Sequence, residues 1–324
     1  MMGISGFRDK LNQLAKNATP FIFFVDFELK NPVVFSRDEI DSSEILFDFN
    51  GVTNQAEKRR ESILVAIETQ SDLKDEYQRK FERVHSAIKR GDSFLTNLTI
   101  KNRVKLSHSL KDVFYTSHAK YKLWYKDQFV VFSPEPFVQI KNKKIYSYPM
   151  KGTIDAAIPD ASEILLGNKK EMAEHVTIVD LIRSDLSRVA SKVSVEKFRY
   201  IEKLNTNKKS LLQVSSQIVG SLPDNYLEKI GDILVSLLPA GSVSGAPKPK
   251  TLSLIEATEG GDRGYYTGVC GHFDGQSLDS GVMIRFLEKE NEEFYYRSGG
   301  GITSQSDWET EFEEVINKIY VPVN

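Results

Sequence analysis

Lys144-Ile145-Tyr146-Ser147-Tyr148-Pro149-Met150-Lys151-Gly152-Thr153 is the stretch on which the reading of this chain turns. Its first five residues alternate like a half-buried strand. Proline then removes a backbone donor and glycine loosens the backbone, so Lys151 cannot lie in the middle of a helix. It is expected at a strand end, where a rigid turn aims one amine. A lysine held there is a nucleophile, a phosphate clamp or a solvated surface charge, and the local sequence leaves all three open.

Working outward, aromatic and β-branched strands (Phe21 to Phe27, Phe129 to Phe132, Val138 to Ile140) precede residue 150, interrupted by charged helical stretches such as Asp75 to Arg90. Glycine punctuation and acidic helices follow it. No regular βα units appear, which excludes a doubly wound parallel sheet and favours an α+β domain with antiparallel sheets and flanking helices. With 324 residues and no linker or repeat, the chain is expected to be one continuous domain with a substantial core.

Charge excludes further classes. The 43 basic and 45 acidic residues nearly cancel and form no basic stripe, against nucleic acid or an anionic membrane as partner. The apolar runs Phe21–Val25 and 233–238 are too short to span a bilayer, and no secretion signal is evident. A single cysteine, Cys270, excludes an internal disulfide and a cysteine zinc site and suits a reducing cytosol, so a cytoplasmic location is expected. Between glycines, Cys270 is expected inside a strand without catalytic role.

Residues 169 to 189 read as a helix whose apolar stripe holds Ile178, Leu181, Ile182, Leu186 and Val189. Glu171, Glu174 and Asp185 project onto or beside that stripe. Either the first turn is solvated, or something pairs with these carboxylates. A second helix, from a capping box at Ser306-Asp307-Trp308-Glu309 to about Tyr320, places Glu311, Glu314 and Lys318 in one row. Two helices each presenting Glu-x-x-Glu suggest the halves of a cation site. Oxygen-only ligands point to Mg²⁺, Mn²⁺ or Ca²⁺.

Two glycine loops, 239–248 and 297–302, precede helices and offer amides to an anion. With Arg263, Arg285 and Tyr266 they are equipment for a small polycarboxylate.

In order, Ser133-Pro134-Glu135, PMKGT at 149–153, EMAEHVTIVDLIRSDLSRV at 171–189, GSVSGAPK at 241–248, RGYYTG at 263–268, and SGGGI followed by EFEEVINK resemble the chorismate-utilising enzymes. The resemblance runs from about residue 80 onward. Residues 1–80 form a weakly matched N-terminal part, and 81–324 the chorismate-binding catalytic region. It implies an anthranilate-synthase-like fold, two mainly antiparallel β-sheets packed together with flanking helices (an α/β/β/α sandwich). It also implies Mg²⁺ on Glu171, Glu174, Glu311 and Glu314, and substrate contacts from Ser242, Tyr266, Arg285, Gly299, Gly301, Lys318, Thr153 and Gln213. Glu135 becomes the acid that assists loss of the C4 hydroxyl.

Lys151 stands where anthranilate synthases carry alanine and aminodeoxychorismate synthases carry lysine. The resemblance thus implies a nucleophile toward C2 of chorismate, with ammonia then entering at C4 to give 4-amino-4-deoxychorismate for 4-aminobenzoate and folate. That role is expected to require a desolvated amine with a lowered pKa. Ammonia would come from a separate glutamine amidotransferase, because no glutaminase elbow is found. Three positions depart from the family pattern: Gln213 for the anthranilate-synthase histidine, Ser184 in Arg-Ser-Asp-Leu, and Leu95 for a glutamine. The alternatives are an anthranilate synthase component and a non-catalytic chorismate-binding subunit.

Overall fold

The computed structural model describes residues 2–55, 66–69, 73–205 and 210–322. Phe21–Val25 shows no alternation because both of its faces are buried. Phe21, Phe23 and Val25 pack with Phe7 and Leu11 of the helix Ile4–Lys16. Ile22 and Phe24 point the other way, onto Ile45, Phe47 and Val131. Phe129–Ser133 behaves likewise, with Phe129 and Val131 on one face and Val130 and Phe132 on the other against Leu110, Val113 and Phe114. A strand buried on both sides needs two layers around it.

Those layers are two antiparallel sheets, each nine-stranded among the described residues. The first runs Met150–Asp155, Ser210–Ser221, Lys144–Ser147, Pro136–Lys141, Leu278–Val282, Val269–Phe273, Phe21–Val25, Val33–Ser36, with Ser191–Asn205 also on Ser210–Ser221. The second runs Gly245–Ala246, Leu95–Leu106, Glu293–Ile302, Phe286–Glu290, Phe129–Ser133, Tyr121–Tyr125, Ile45–Phe49, Val52–Thr53, with Ile67–Thr69 beside Leu95–Leu106. Helices Ile4–Lys16, Lys169–Leu186 and Ile230–Leu237 cover the first sheet. Lys74–Lys89, Leu110–Thr116, Lys248–Glu259 and Trp308–Asn317 cover the second. The expected α/β/β/α sandwich is what the chain forms. Residues near the N-terminus enter both sheets, since Phe21–Val25 pairs with Val269–Phe273 and Ile45–Phe49 with Tyr121–Tyr125.

Three local expectations need correction. Lys151 is not at a strand end: Tyr148-Pro149 breaks the chain's course, and Lys151 is the second residue of the strand Met150–Asp155. The register shifts between Lys151 and Thr153, where Gly152 has φ +78°, a bulge that only glycine adopts readily. The helix Trp308–Asn317 is capped by Asp307, which accepts from Thr310 N at 3.0 Å, while Ser306 accepts from Thr303 N at 3.1 Å. That helix also stops short of Tyr320. Cys270 lies buried in Val269–Phe273, as expected.

Gly245 (φ +134°) brings its backbone against Leu95, and a Cβ there would overlap the Leu95 carbonyl. Gly245→Ala is expected to lower unfolding free energy by roughly 3 kcal/mol, from strain and overlap together. Urea denaturation with an unchanged midpoint would refute this close approach.

Candidate active site

A cavity of about 650 Å³ opens where the two sheets meet the acidic helices. The bulge at Gly152 turns Lys151 toward it, and Lys151 Nζ lies 2.6 Å from Glu174 Oε2. Glu174 is only 4% exposed, confirming that a carboxylate shares the helix's buried stripe. Its neighbour His175 is also buried, with Nε2 2.6 Å from Ser216 Oγ, which fixes this turn of the helix against the strand behind. Burial, with Arg199 and Lys151, pushes the His175 pKa down to about 4, so the imidazole is neutral.

The expected neutral Lys151 is not found. Burial favours the free amine, but the carboxylates of Glu174, Glu171 and Glu314 outweigh it and hold the pKa above the usual lysine value. An amine 2.6 Å from a buried carboxylate keeps its proton.

On the other side, the second acidic helix lies over the glycine strand Glu293–Ile302. A Cβ at Gly300 would lie 3.6 Å from Glu311 Oε2 and 3.9 Å from Lys318 Nζ. Glu311 is 3% exposed. Lys318 Nζ pairs with Glu314 at 2.7 Å and donates to the Gly299 carbonyl at 2.8 Å. Glu171 borders the same cavity, 3.4 Å from where a Cβ at Gly152 would stand.

The donor set fits a hard divalent cation in chemistry: oxygen-only carboxylates, two of them nearly fully buried and therefore in need of positive charge. Among the described residues, however, no three acidic, His or Cys side chains are grouped closely enough to ligate one ion as they stand. Lys151 and Lys318 occupy part of the space a cation would claim.

Glu135, just past Phe129–Ser133, accepts from Ser242 Oγ at 2.5 Å. Burial raises its pKa, against the opposing pull of that hydrogen bond and of Arg285, Lys318 and Lys151. Such a carboxyl stays protonated to higher pH than a solvated one, as a general acid must. Arg285, in the left-handed region at φ +55°, also borders the cavity. Tyr266 is buried beside Phe286, and burial keeps its phenol protonated. Thr153 and Gln213 face each other in register, and both line the cavity with Gly299, Gly301 and Leu95. Ser184 is exposed on the far side of its helix, where serine is tolerated.

Arg263 is the correction. Expected near the ligand, it is 1% exposed and wholly engaged. It donates to Glu259 at 2.8 and 2.6 Å, to the Val243 carbonyl at 2.7 Å and to the Asn97 carbonyl at 2.7 Å. Asp185, expected on or beside the apolar stripe, is largely buried and accepts from Lys248 Nζ at 2.6 Å, tying the acidic helix to the glycine loop. Asn97, His118 and Tyr320 also border the cavity. They lie outside the recognisable motifs, and no local pattern points to them.

These features define a chorismate-binding enzyme: the chain matches the chorismate binding enzyme family over residues 21–324 and belongs to it. It is 46% identical over 317 residues to an uncharacterised PabA-like protein of Haemophilus influenzae, covering 98% of this chain and 96% of that one. It is 31% identical to aminodeoxychorismate synthase component 1 of Bacillus subtilis, over 76% of this chain and 54% of the other. Against anthranilate synthase component 1 of Arthrobacter globiformis it is 36% identical over 59% of this chain and 36% of the other. The menaquinone-specific isochorismate synthase of Escherichia coli shares the fold, at TM-score 0.74 and 17% identity over 98% of this chain and 81% of that one.

Arg263→Ala is expected to cost about 3–5 kcal/mol, because Glu259 would remain buried without its partner. Urea unfolding measures it, and a variant as stable as wild type would show that the pair is not a strut.

Proposed function

We propose that this chain is the synthase component of a cytoplasmic aminodeoxychorismate synthase, forming 4-amino-4-deoxychorismate from chorismate and ammonia for 4-aminobenzoate and folate synthesis. The observation that carries the reading is Lys151, whose amine projects from a strand bulge into the cavity beside Glu174. Lys151 first passes its proton to the Glu174 carboxylate beside it. The freed amine then forms a bond to C2 of the ring, the ring's double bonds shift, and the C4–O bond breaks. Glu135 gives its proton to the departing hydroxyl, which leaves as water. Ammonia then bonds to C4, the double bonds return and the bond to Lys151 breaks.

Glu171, Glu174, Glu311 and Glu314 would hold Mg²⁺, which supplies positive charge for the substrate's ring carboxylate. Lys151 and that ion draw on the same carboxylate oxygens, so freeing the amine and binding the cation are linked. Arg285, Tyr266, Ser242, Thr153, Gln213, Lys318 and the amides of Gly299 and Gly301 provide the remaining contacts. Cys270 is buried and burial raises its thiol pKa, so it does not hydrolyse glutamine. A separate glutamine amidotransferase is the proposed source of ammonia.

The likeness to anthranilate synthases favours one alternative, ortho-amination. Lys151 and Gln213 argue against it, because those enzymes carry alanine and histidine at the two positions. Incubation with chorismate, Mg²⁺ and ammonium, with product identified by mass and ultraviolet absorption, is expected to give 4-amino-4-deoxychorismate. Lys151→Ala should lower that product by roughly a hundredfold or more. Anthranilate from the wild type would overturn the reading, and wild-type product from the variant would overturn the covalent role.

Chorismate affinity is expected to fall at least about tenfold when Mg²⁺ is chelated, since like-charged carboxylates repel the substrate. Equal affinity with and without Mg²⁺, by calorimetry, would remove the four glutamates from that role.

A further inference from the structure

Beyond Asn317 the chain leaves its helix as a short strap that borders the cavity with Lys318, Tyr320 and Pro322. Two main-chain contacts fasten this strap: Tyr296 Oη donates to the Tyr320 carbonyl at 3.0 Å, and His118 N to the Pro322 carbonyl at 2.7 Å. Ile319 and Val321 pack into the core around Phe114, Trp124 and Tyr296. The Tyr320 ring between them is 47% exposed, although it borders the cavity.

Its ring centroid lies 5.3 Å from the Arg285 guanidinium carbon. Arg285 has an unfavourable left-handed backbone, which persists only where the surroundings hold it. A guanidinium has five N–H donors, so one that lies over the Tyr320 ring and hydrogen-bonds its side chain still has donors left for a carboxylate. The contact with Tyr320 therefore holds the guanidinium without using all the donors a substrate needs.

We propose that Tyr320 is a positioning residue for substrate binding: its side chain holds the Arg285 guanidinium at the cavity, ready for a carboxylate of the ligand. This rests on the chorismate reading of the same cavity. It concerns how the arginine is held, by the face of the ring and by a side-chain hydrogen bond between Arg285 and Tyr320.

Chorismate binding in the presence of Mg²⁺ is measured by calorimetry for wild type, Tyr320→Ala, Tyr320→Phe, Arg285→Lys and the double variant Arg285→Lys/Tyr320→Ala, with turnover and thermal midpoint alongside. Tyr320→Ala is expected to bind about five- to tenfold more weakly, with kcat and thermal midpoint close to wild type. Tyr320→Phe, which keeps the ring and loses the phenol oxygen, should recover part of the affinity lost in Tyr320→Ala, and removing Tyr320 should add no loss in the Arg285→Lys background. Unchanged affinity in Tyr320→Ala, failure of phenylalanine to rescue, or additive losses in the double variant would each overturn the proposal while leaving the chorismate reading intact. Wild-type protein that does not bind chorismate would overturn that reading and this inference with it.

Discussion

Arg263 and Glu259 are both buried, and removing two such charges from water is costly unless every donor and acceptor is used. Here they are used on segments far apart in sequence. The guanidinium reaches Val243 in the loop that carries Ser242 and Asn97 on the strand opposite Gly301, while Glu259 takes the Thr99 amide and hydroxyl at 2.9 Å each. Phe27 covers the guanidinium face at 4.5 Å. The pair thus fixes the distance between the Ser242 loop and the glycine strand, two walls of the cavity. Ser242 in turn holds Glu135, so the acid's position depends on an ion pair that never meets substrate.

The cavity follows a second constraint, charge balance. Glu174 and Glu311 could not be buried alone, and the chain supplies its own cations, Lys151 beside the first acidic helix and Lys318 beside the second. This makes the site stable as a protein and sets the terms on which any ligand enters. A divalent cation must compete with two ammonium groups, and an anionic substrate must arrive with compensating positive charge.

Much of this was legible because it is local. Proline and glycine around Lys151 marked an aimed lysine, and carboxylates on an apolar stripe marked Glu174. The aromatic and β-branched runs Phe21 to Phe27 and Phe129 to Phe132 marked strands, while their burial on both faces emerged only with the fold. What could not be read depends on distance across the fold. Arg263 looked like a ligand group because its sequence neighbours are glycines and tyrosines, yet its partners at 243 and 97 are remote. Asp185 could be placed beside the apolar stripe, but its partner Lys248 lies in a remote loop that the spacing does not encode. The protonation of Lys151 follows from a 2.6 Å separation that no spacing encodes. Ser306 lost the cap to Asp307 because either residue satisfies the same pattern.

Two of the three departures from the family pattern, Leu95 and Gln213, border the same cavity, while Ser184 is exposed elsewhere. Leu95 Cδ1 lies 3.2 Å, and Lys151 Nζ 3.9 Å, from where a Cβ at Gly301 would stand, so the amine and an apolar side chain meet over the same glycine. Gln213 faces Thr153 on the adjoining wall. A water molecule attacking C2 would need a base or a polar anchor there, and Leu95 offers neither. On the proposed reading, the nucleophile at C2 must then be the lysine itself, since it is the nitrogen this corner of the cavity holds in place. The chemistry is selected by what the wall withholds from water as much as by the amine it presents.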